Sequence, residues 1–92
     1  MMTKKIAILG ECMIEFNGEP FGRMRQSYGG DSLNAAVYLA RISSPERIAV
    51  HYVSALGTDK LSRMMLEHWR NEGVQTDCVL LDDKRNPGLY LI

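Results

Sequence analysis

Residues 28–34 read Tyr-Gly-Gly-Asp-Ser-Leu-Asn and place two glycines directly before the clearest helical pattern of the chain. Apolar residues then recur at i, i+3, i+4 and i+7, the spacing of one helix face; they are Leu33, Ala36, Val37 and Ala40. Asp31 or Ser32 can cap the first amides of this helix. Because Ser-Ser-Pro follows at 43–45, we predict that the helix ends near Ile42.

The segments before this loop have the pattern of strands. Ile6 to Leu9 is a continuous apolar run that ends at Gly10, which predicts a central parallel strand buried on both faces. Glu11 to Phe16 alternates polar and apolar residues imperfectly and precedes the turn dipeptide Asn17-Gly18. A second, more exposed strand is expected there. The long connection that follows can carry small strands of its own.

The remainder of the chain alternates strand and helix patterns. Residues 48–53 predict a strand, and Gly57-Thr58-Asp59 is a turn into a second helix that ends at a left-handed Gly73. The apolar side of that helix consists of Leu61, Met64, Met65 and Trp69. Residues 78–81 predict a third buried-type strand, residues 82–88 a polar turn, and residues 89–92 the beginning of another strand.

This order of elements indicates an α/β fold in which helices flank a mostly parallel sheet, since right-handed crossovers join its strands. The chain stops at Ile92 in the middle of an apolar strand pattern, which would leave a sheet edge unpaired. We therefore expect these 92 residues to be a piece of a longer protein.

Composition and charge exclude several classes of partner. The chain has 46% hydrophobic and 24% charged residues, with 11 basic and 11 acidic side chains and no long run of one charge. We therefore expect no nucleic-acid partner and no membrane partner, and no stretch approaches the ~20 apolar residues of a membrane span. Cys12 and Cys78 are too far apart for a C-x-x-C motif, so two free thiols in a reducing cytoplasm are expected.

The Gly-Gly loop is the first candidate binding site. Gly29 and Gly30 allow a ligand to approach the backbone closely, while helix-start amides favour a polar or anionic molecule. Asn34 lies one helical turn after Gly30, so its amide could bond a ligand hydroxyl. An ordinary loop with an Asp or Ser cap fits the same residues equally well, and an Asn at this position can simply face water.

Three further polar residues are candidates, and two histidines are not. Glu11 and Glu15 follow the first strand at its carboxyl end, where open α/β sheets collect ligands, but an extended chain separates them by about 13 Å. They are therefore separate contacts rather than a catalytic pair, and an exposed salt bridge is an equal alternative for Glu11. Tyr90 can project into a cleft or be buried in an interface. No metal site is predicted, because His51 and His68 have no ligand partner at a suitable sequence spacing.

Together these segments resemble the amino-terminal part of the ribokinase-type (phosphofructokinase B-like) carbohydrate kinases. The resemblance rests on Ile8 to Glu15, on residues 29–36 with their Gly-Gly-x-x-x-Asn signature at the start of a helix, and on Val53 to Asp59. Within that family, four segments together are most similar to bacterial 2-keto-3-deoxygluconate kinases, namely residues 10–15, 29–31, 50–59 and the Pro-Gly-Leu-Tyr at 87–90. Ser62 stands where the wider family often has Gly, a departure that affects only the turn.

The resemblance implies a fold and an activity. Residues 1–92 would form the amino-terminal part of a single ribokinase-like three-layer α/β/α domain, with lid segments at about 11–27 and 88–92. The full-length enzyme would transfer the γ-phosphate of ATP, with Mg²⁺, to the 6-hydroxyl of the sugar acid. The family's lid often serves dimerisation, which makes a homo-oligomer through the β lid possible.

The resemblance also implies which residues bind the sugar acid and which parts are missing. Gly30, Asn34 and Tyr90 would contact the substrate, Gly29 would shape the loop, and Glu15 stands where many relatives carry an Asp. The catalytic Asp and the nucleotide pocket belong to a later Gly-Ala-Gly-Asp segment that is not found in these residues. We therefore expect no catalytic residue here and an inactive fragment. A non-catalytic α/β ligand-binding or interaction module is the alternative, and a nucleotide-binding protein of another family is disfavoured because neither phosphate-loop pattern occurs.

Overall fold

The protein is described by a computed structural model that covers residues 2–92, so Met1, the first residue of the expected domain, lies outside the described residues. The elements in chain order are β1 (Lys4–Leu9), β2 (Met13–Gly18), β3 (Met24–Gly29), α1 (Asp31–Ile42), β4 (Ile48–Leu56), α2 (Lys60–Asn71), β5 (Val79–Leu81) and β6 (Leu89–Leu91). They form two three-stranded sheets. We call β1-β4-β5 the main sheet and β3-β2-β6 the outer sheet.

The main sheet is parallel, and β4 lies at its centre. Helix α1 packs on β1 and β4, and Trp69 of α2 meets Tyr52 of β4 edge to face with ring centroids 5.2 Å apart. Both helices therefore cover the same face of this sheet. The core between them and the sheet consists of Cys12, Ile14, Leu33, Ala36, Val50, Tyr52, Leu56, Met65, Leu66, Trp69 and Val74.

The prediction of β1 as a central strand buried on both faces is wrong for the described residues. β1 pairs with β4 alone and forms an edge of the main sheet. Its outward residues Ala7 and Leu9 are exposed, and Leu9 retains 76% of its accessible surface. The same holds for β5, where Leu80 is 73% exposed. An apolar run indicates that both faces of a strand can be buried. Within residues 2–92, however, the helices cover only one face of the main sheet.

The connection between β1 and α1 differs from the sequence prediction in its turn. Asn17-Gly18 belongs to β2, and the hairpin turn follows at residues 19–23. Phe21 in that turn has a left-handed φ of 57°, which neither the Asn-Gly pair nor Pro20 predicts. The polar residues before the Gly-Gly loop then form β3 and pair antiparallel with β2. The small strand allowed for in the long connection is thus present.

The predicted elements after Asp31 are confirmed, with small shifts at their ends. α1 spans Asp31–Ile42, and α2 ends before Gly73, whose φ is 88°. α2 begins with an Asp59 side chain that accepts from the Ser62 amide. Neither helix exceeds 12 residues, and within residues 2–92 there is no helix long and apolar enough to cross a membrane.

Ser62 organises the turn between β4 and α2. Its hydroxyl donates to Asp59 Oδ1 at 2.6 Å and accepts from the Gly57 amide at 3.1 Å, and its side chain is fully buried. We expect Ser62→Ala to destabilise the protein by about 1–3 kcal/mol, because it leaves the buried Gly57 amide without an acceptor. Urea unfolding measures the change. Ser44→Ala at an exposed position is the control, and an equal effect of the two substitutions would contradict the prediction.

Candidate functional site

The outer sheet presents a polar face built from three different segments of the chain. Glu15 of β2 is the register partner of Ser27 on β3 and of Tyr90 on β6. Residues opposite one another in a sheet point to the same face, and their immediate neighbours point to the other. The pairing therefore gathers a carboxylate, a hydroxyl and a phenol on one side, while Ile14, Tyr28 and Leu89 share the opposite side.

Glu15 lies at the centre of a hydrogen-bonded cluster. The Tyr90 hydroxyl donates to Glu15 Oε1, and the Ser27 hydroxyl donates to Glu15 Oε2 at 3.2 Å. The hydrogen bond from Tyr90 to Glu15, followed by burial, raises the pKa of Tyr90, so the phenol stays protonated as a donor. A carboxylate has about four lone-pair positions, so Glu15 can still accept from hydroxyl groups of a ligand. Chemically, the cluster is suited to bind a polyol.

Gly29 provides the room for this cluster. It is buried at the end of β3, and a Cβ built on it would lie 3.1 Å from the Tyr90 hydroxyl and 3.6 Å from Glu15 Oε1. A side chain at this position would therefore crowd the Tyr90 hydroxyl and touch Glu15. The structure thus brings together Gly29, Glu15 and Tyr90 from the predicted site residues.

Gly30 connects the outer sheet to α1. A Cβ on it would lie 2.5 Å from the Glu11 carbonyl oxygen. The segment that leads into β2 and the segment that follows β3 are therefore in contact here. Gly30 is the N-cap residue of α1, and no side chain caps this helix end. The expectation that Asp31 or Ser32 would supply the cap is therefore wrong. Ser32 instead hydrogen-bonds the Tyr52 hydroxyl at 2.8 Å, and the uncapped amides remain available to a polar ligand.

Asn34 lies apart from the Glu15 cluster. Its exposed side chain lines a groove of about 460 Å³ between α1 and α2. Tyr38 and Arg41 line the same groove from α1, and Ser27 of β3 also lines it. Ser27 is thus the residue that connects the groove with Glu15. A polar residue facing Glu15 across the β2–β3 hairpin was not predicted from the sequence, because its position depends on the hairpin register.

A second cavity, of about 390 Å³, lies at the carboxyl end of the main sheet. It is lined by Gly10 and Glu11 after β1, by residues 54–57 at the end of β4, and by residues 85–88 before β6. Ligands of open α/β sheets collect at this edge. Sequence reasoning treated residues 85–88 as a plain turn, yet the structure places Arg85 at the cavity, 3.6 Å from Asp82.

Cys12 is a buried thiol between these features. Burial raises its pKa to about 12, although a hydrogen bond with the Gly29 backbone acts in the opposite direction. The thiol therefore stays neutral at physiological pH, and its role is to pack in the core. Cys78 is exposed, and both cysteines are free.

Comparison with known proteins gives these features a family context. The family model of the pfkB family carbohydrate kinases matches residues 3–92. The chain belongs to the pfkB family. A 2-dehydro-3-deoxygluconokinase of Haemophilus influenzae is 64% identical over 89 residues, which is 97% of this chain and 28% of that protein. A 2-dehydro-3-deoxygluconokinase of Dickeya dadantii is 49% identical over all of this chain and 29% of its own length.

The pfkB assignment agrees with the fold. A fructokinase from Xylella fastidiosa superimposes with a TM-score of 0.82 at 26% identity, and the match covers 98% of this chain and 28% of that structure. The expected partial ribokinase-like α/β fold is confirmed, and so is the predicted resemblance to 2-keto-3-deoxygluconate kinases, for which 2-dehydro-3-deoxygluconokinase is another name. This pfkB chain spans less than one third of the length of its relatives.

Proposed function

We propose that this chain is the substrate-side part of a kinase that transfers the γ-phosphate of ATP to the 6-hydroxyl of 2-keto-3-deoxygluconate. One observation carries the proposal: a hydroxyl-binding cluster around Glu15 lies in a chain that is 64% identical to a protein named 2-dehydro-3-deoxygluconokinase. Transfer to an alcohol requires that the acceptor hydroxyl be held in one orientation. The described residues are suited to that task.

In this proposal each predicted site residue has a separate role. Glu15 accepts hydrogen bonds from sugar hydroxyls, and Tyr90 holds the Glu15 carboxylate in place while contacting the substrate. Gly29 leaves space for the sugar beside this pair, and Gly30 presents the first amides of α1. Asn34 binds a hydroxyl at the end of the substrate that reaches the groove between the helices. No catalytic residue is assigned within these residues.

ATP and Mg²⁺ are proposed to bind outside the chain described here. Mg²⁺ prefers oxygen ligands, whereas the cluster of potential metal ligands found within residues 2–92, at His51, Asp77 and Cys78, contains a thiol and an imidazole. This cluster does not fit Mg²⁺, and we derive no phosphoryl-transfer step from the described residues. The catalytic segment that the resemblance implies is not found in these 92 residues, so we expect them alone to be inactive. We also expect the complete enzyme to act in the cytoplasm.

A second copy of the protein is the proposed partner of the outer sheet. Leu89 and Leu91 point to the side opposite Tyr90 and are 63% and 72% exposed. Burying apolar side chains of this kind in a dimer is favourable. A dimer formed through the outer sheet would cover them.

Phosphorylation assays on the full-length protein test this function. ATP-dependent product formation is measured with 2-keto-3-deoxygluconate, ribose, fructose and adenosine. We expect the sugar acid to be the preferred substrate by kcat/KM. Activity on a nucleoside alone, or on none of the four, would overturn the proposal. The isolated chain serves as the inactive control.

A further inference from the structure

The side of the main sheet that the helices leave uncovered carries a cluster of three different metal-binding groups. His51 projects from β4, and Asp77 and Cys78 lie in the turn that leads into β5. One ligand atom of each residue lies within 4.8 Å of the other two, and His51 Nδ1 is 2.8 Å from Asp77 Oδ1. The cluster is separate from Glu15 and from both cavities.

The backbone around the cluster is fixed by several hydrogen bonds. The Gln75 amide donates to the Val50 carbonyl at 2.8 Å, and the Tyr52 amide donates to the Gln75 carbonyl at 3.1 Å. These two bonds flank His51 and hold residue 75 beside β4. The Val79 amide then donates to the Thr76 carbonyl at 3.1 Å, which closes a turn whose central residues are Asp77 and Cys78. Both ligands from this turn are thereby held next to the imidazole.

The side chains combine one anchored ligand with two adjustable ligands. His51 keeps only 17% of its side-chain surface exposed, while Asp77 keeps 67% and Cys78 is also exposed. A tetrahedral Zn²⁺ with bonds of about 2.0–2.3 Å needs ligand atoms separated by roughly 3.3–3.8 Å. Zn²⁺ binding therefore requires the contact between Asp77 and His51 to widen and the Cys78 sulfur to lie within this range. Asp77 and Cys78 are both exposed, so their side chains have room to rotate.

The ligand types in the cluster also favour one class of ion. His51 offers an imidazole nitrogen, Asp77 a carboxylate oxygen and Cys78 a sulfur. A thiolate and an imidazole together select Zn²⁺ over Mg²⁺ and Ca²⁺.

We propose that His51, Asp77 and Cys78 form a Zn²⁺ site with three protein ligands and a water molecule as the fourth. The ion joins the central strand β4 to the turn before β5. Its predicted role is therefore to stabilise that edge of the main sheet. This proposal is independent of the proposed kinase activity.

Cobalt titration of the full-length protein tests the site, with Co²⁺ as a spectroscopic probe for Zn²⁺. We expect one Co²⁺ to bind with visible bands typical of tetrahedral geometry and a near-ultraviolet thiolate charge-transfer band, and Zn²⁺ to displace it. Cys78→Ser should abolish the charge-transfer band. His51→Gln and Asp77→Asn should each weaken binding by about tenfold or more, because even the loss of a residue that only supports a ligand costs 10- to 100-fold.

His68→Gln is the matched control, since His68 is an exposed histidine outside the cluster. It should bind Co²⁺ like the wild type. Thermal unfolding gives an independent readout: Zn²⁺ should raise the Tm of the wild type and of His68→Gln but not that of His51→Gln. The proposal is wrong if folded wild-type protein shows no thiolate band, or if the band persists undiminished in Cys78→Ser or His51→Gln.

Discussion

Replacement of Glu15 by glutamine in the full-length enzyme is expected to lower kcat/KM for the sugar acid by about 10- to 100-fold. The estimate follows from the loss of one hydrogen bond to a charged group, which is worth about 1.5–3 kcal/mol, at 1.4 kcal/mol per tenfold change. Glutamine keeps the size of the side chain but replaces one acceptor oxygen with a donor. Tyr90 and Ser27 both donate to Glu15, so one of them loses its acceptor.

Steady-state kinetics measure this effect. Two further variants serve as a control and as a comparison that keeps the charge. Glu19→Gln removes an exposed carboxylate in the hairpin turn and should leave kcat/KM unchanged. Glu15→Asp keeps the negative charge and both acceptor oxygens, so it should retain more activity than Glu15→Gln. A kcat/KM within about twofold of wild type for folded Glu15→Gln would remove Glu15 from the site.

The main architecture could be predicted from the sequence because its signals are local. The apolar spacing after Asp31 and the glycine at 73 define the two helices well, and the alternation of strands and helices is enough to predict the α/β class. The residue composition of β1 and β5 also predicts strands. It does not predict which of their faces are covered, because that depends on segments that are distant in sequence.

The site was only partly predictable for the same reason. Glu15 and Tyr90 were each selected as polar positions, but their hydrogen bond joins residues 75 positions apart. It exists because β6 pairs in parallel with β2, and three residues at the end of the chain carry too little pattern to predict that pairing. His51 and Asp77, 26 positions apart, meet in a similar way through the pairing next to β4. Sequence spacing alone therefore could not identify that cluster.

Gly30→Ala is expected to affect stability and activity together. The new Cβ would lie 2.5 Å from the Glu11 carbonyl oxygen, at a residue whose φ is 159°. The obstacle is backbone rather than a flexible side chain, so the chain must move. We expect a loss of about 1–3 kcal/mol in the free energy of unfolding, which is the usual cost of a strained backbone position. Urea unfolding of the full-length protein measures it.

The activity should fall further than this destabilisation explains. Gly30 and Glu11 meet where the chain enters and leaves the outer sheet, so a displacement there shifts the whole Glu15 cluster relative to α1. Misplacing a substrate by about 1 Å can cost 10²-fold in rate, and we expect kcat/KM to fall by about that factor under conditions where the variant is folded. Gly22→Ala in the exposed hairpin turn is the matched control, because its Cβ would approach only the side chain of Glu19 closely. If Gly30→Ala is as active and as stable as this control, the contact between Gly30 and Glu11 does not position the substrate, and the outer sheet must be oriented by other residues.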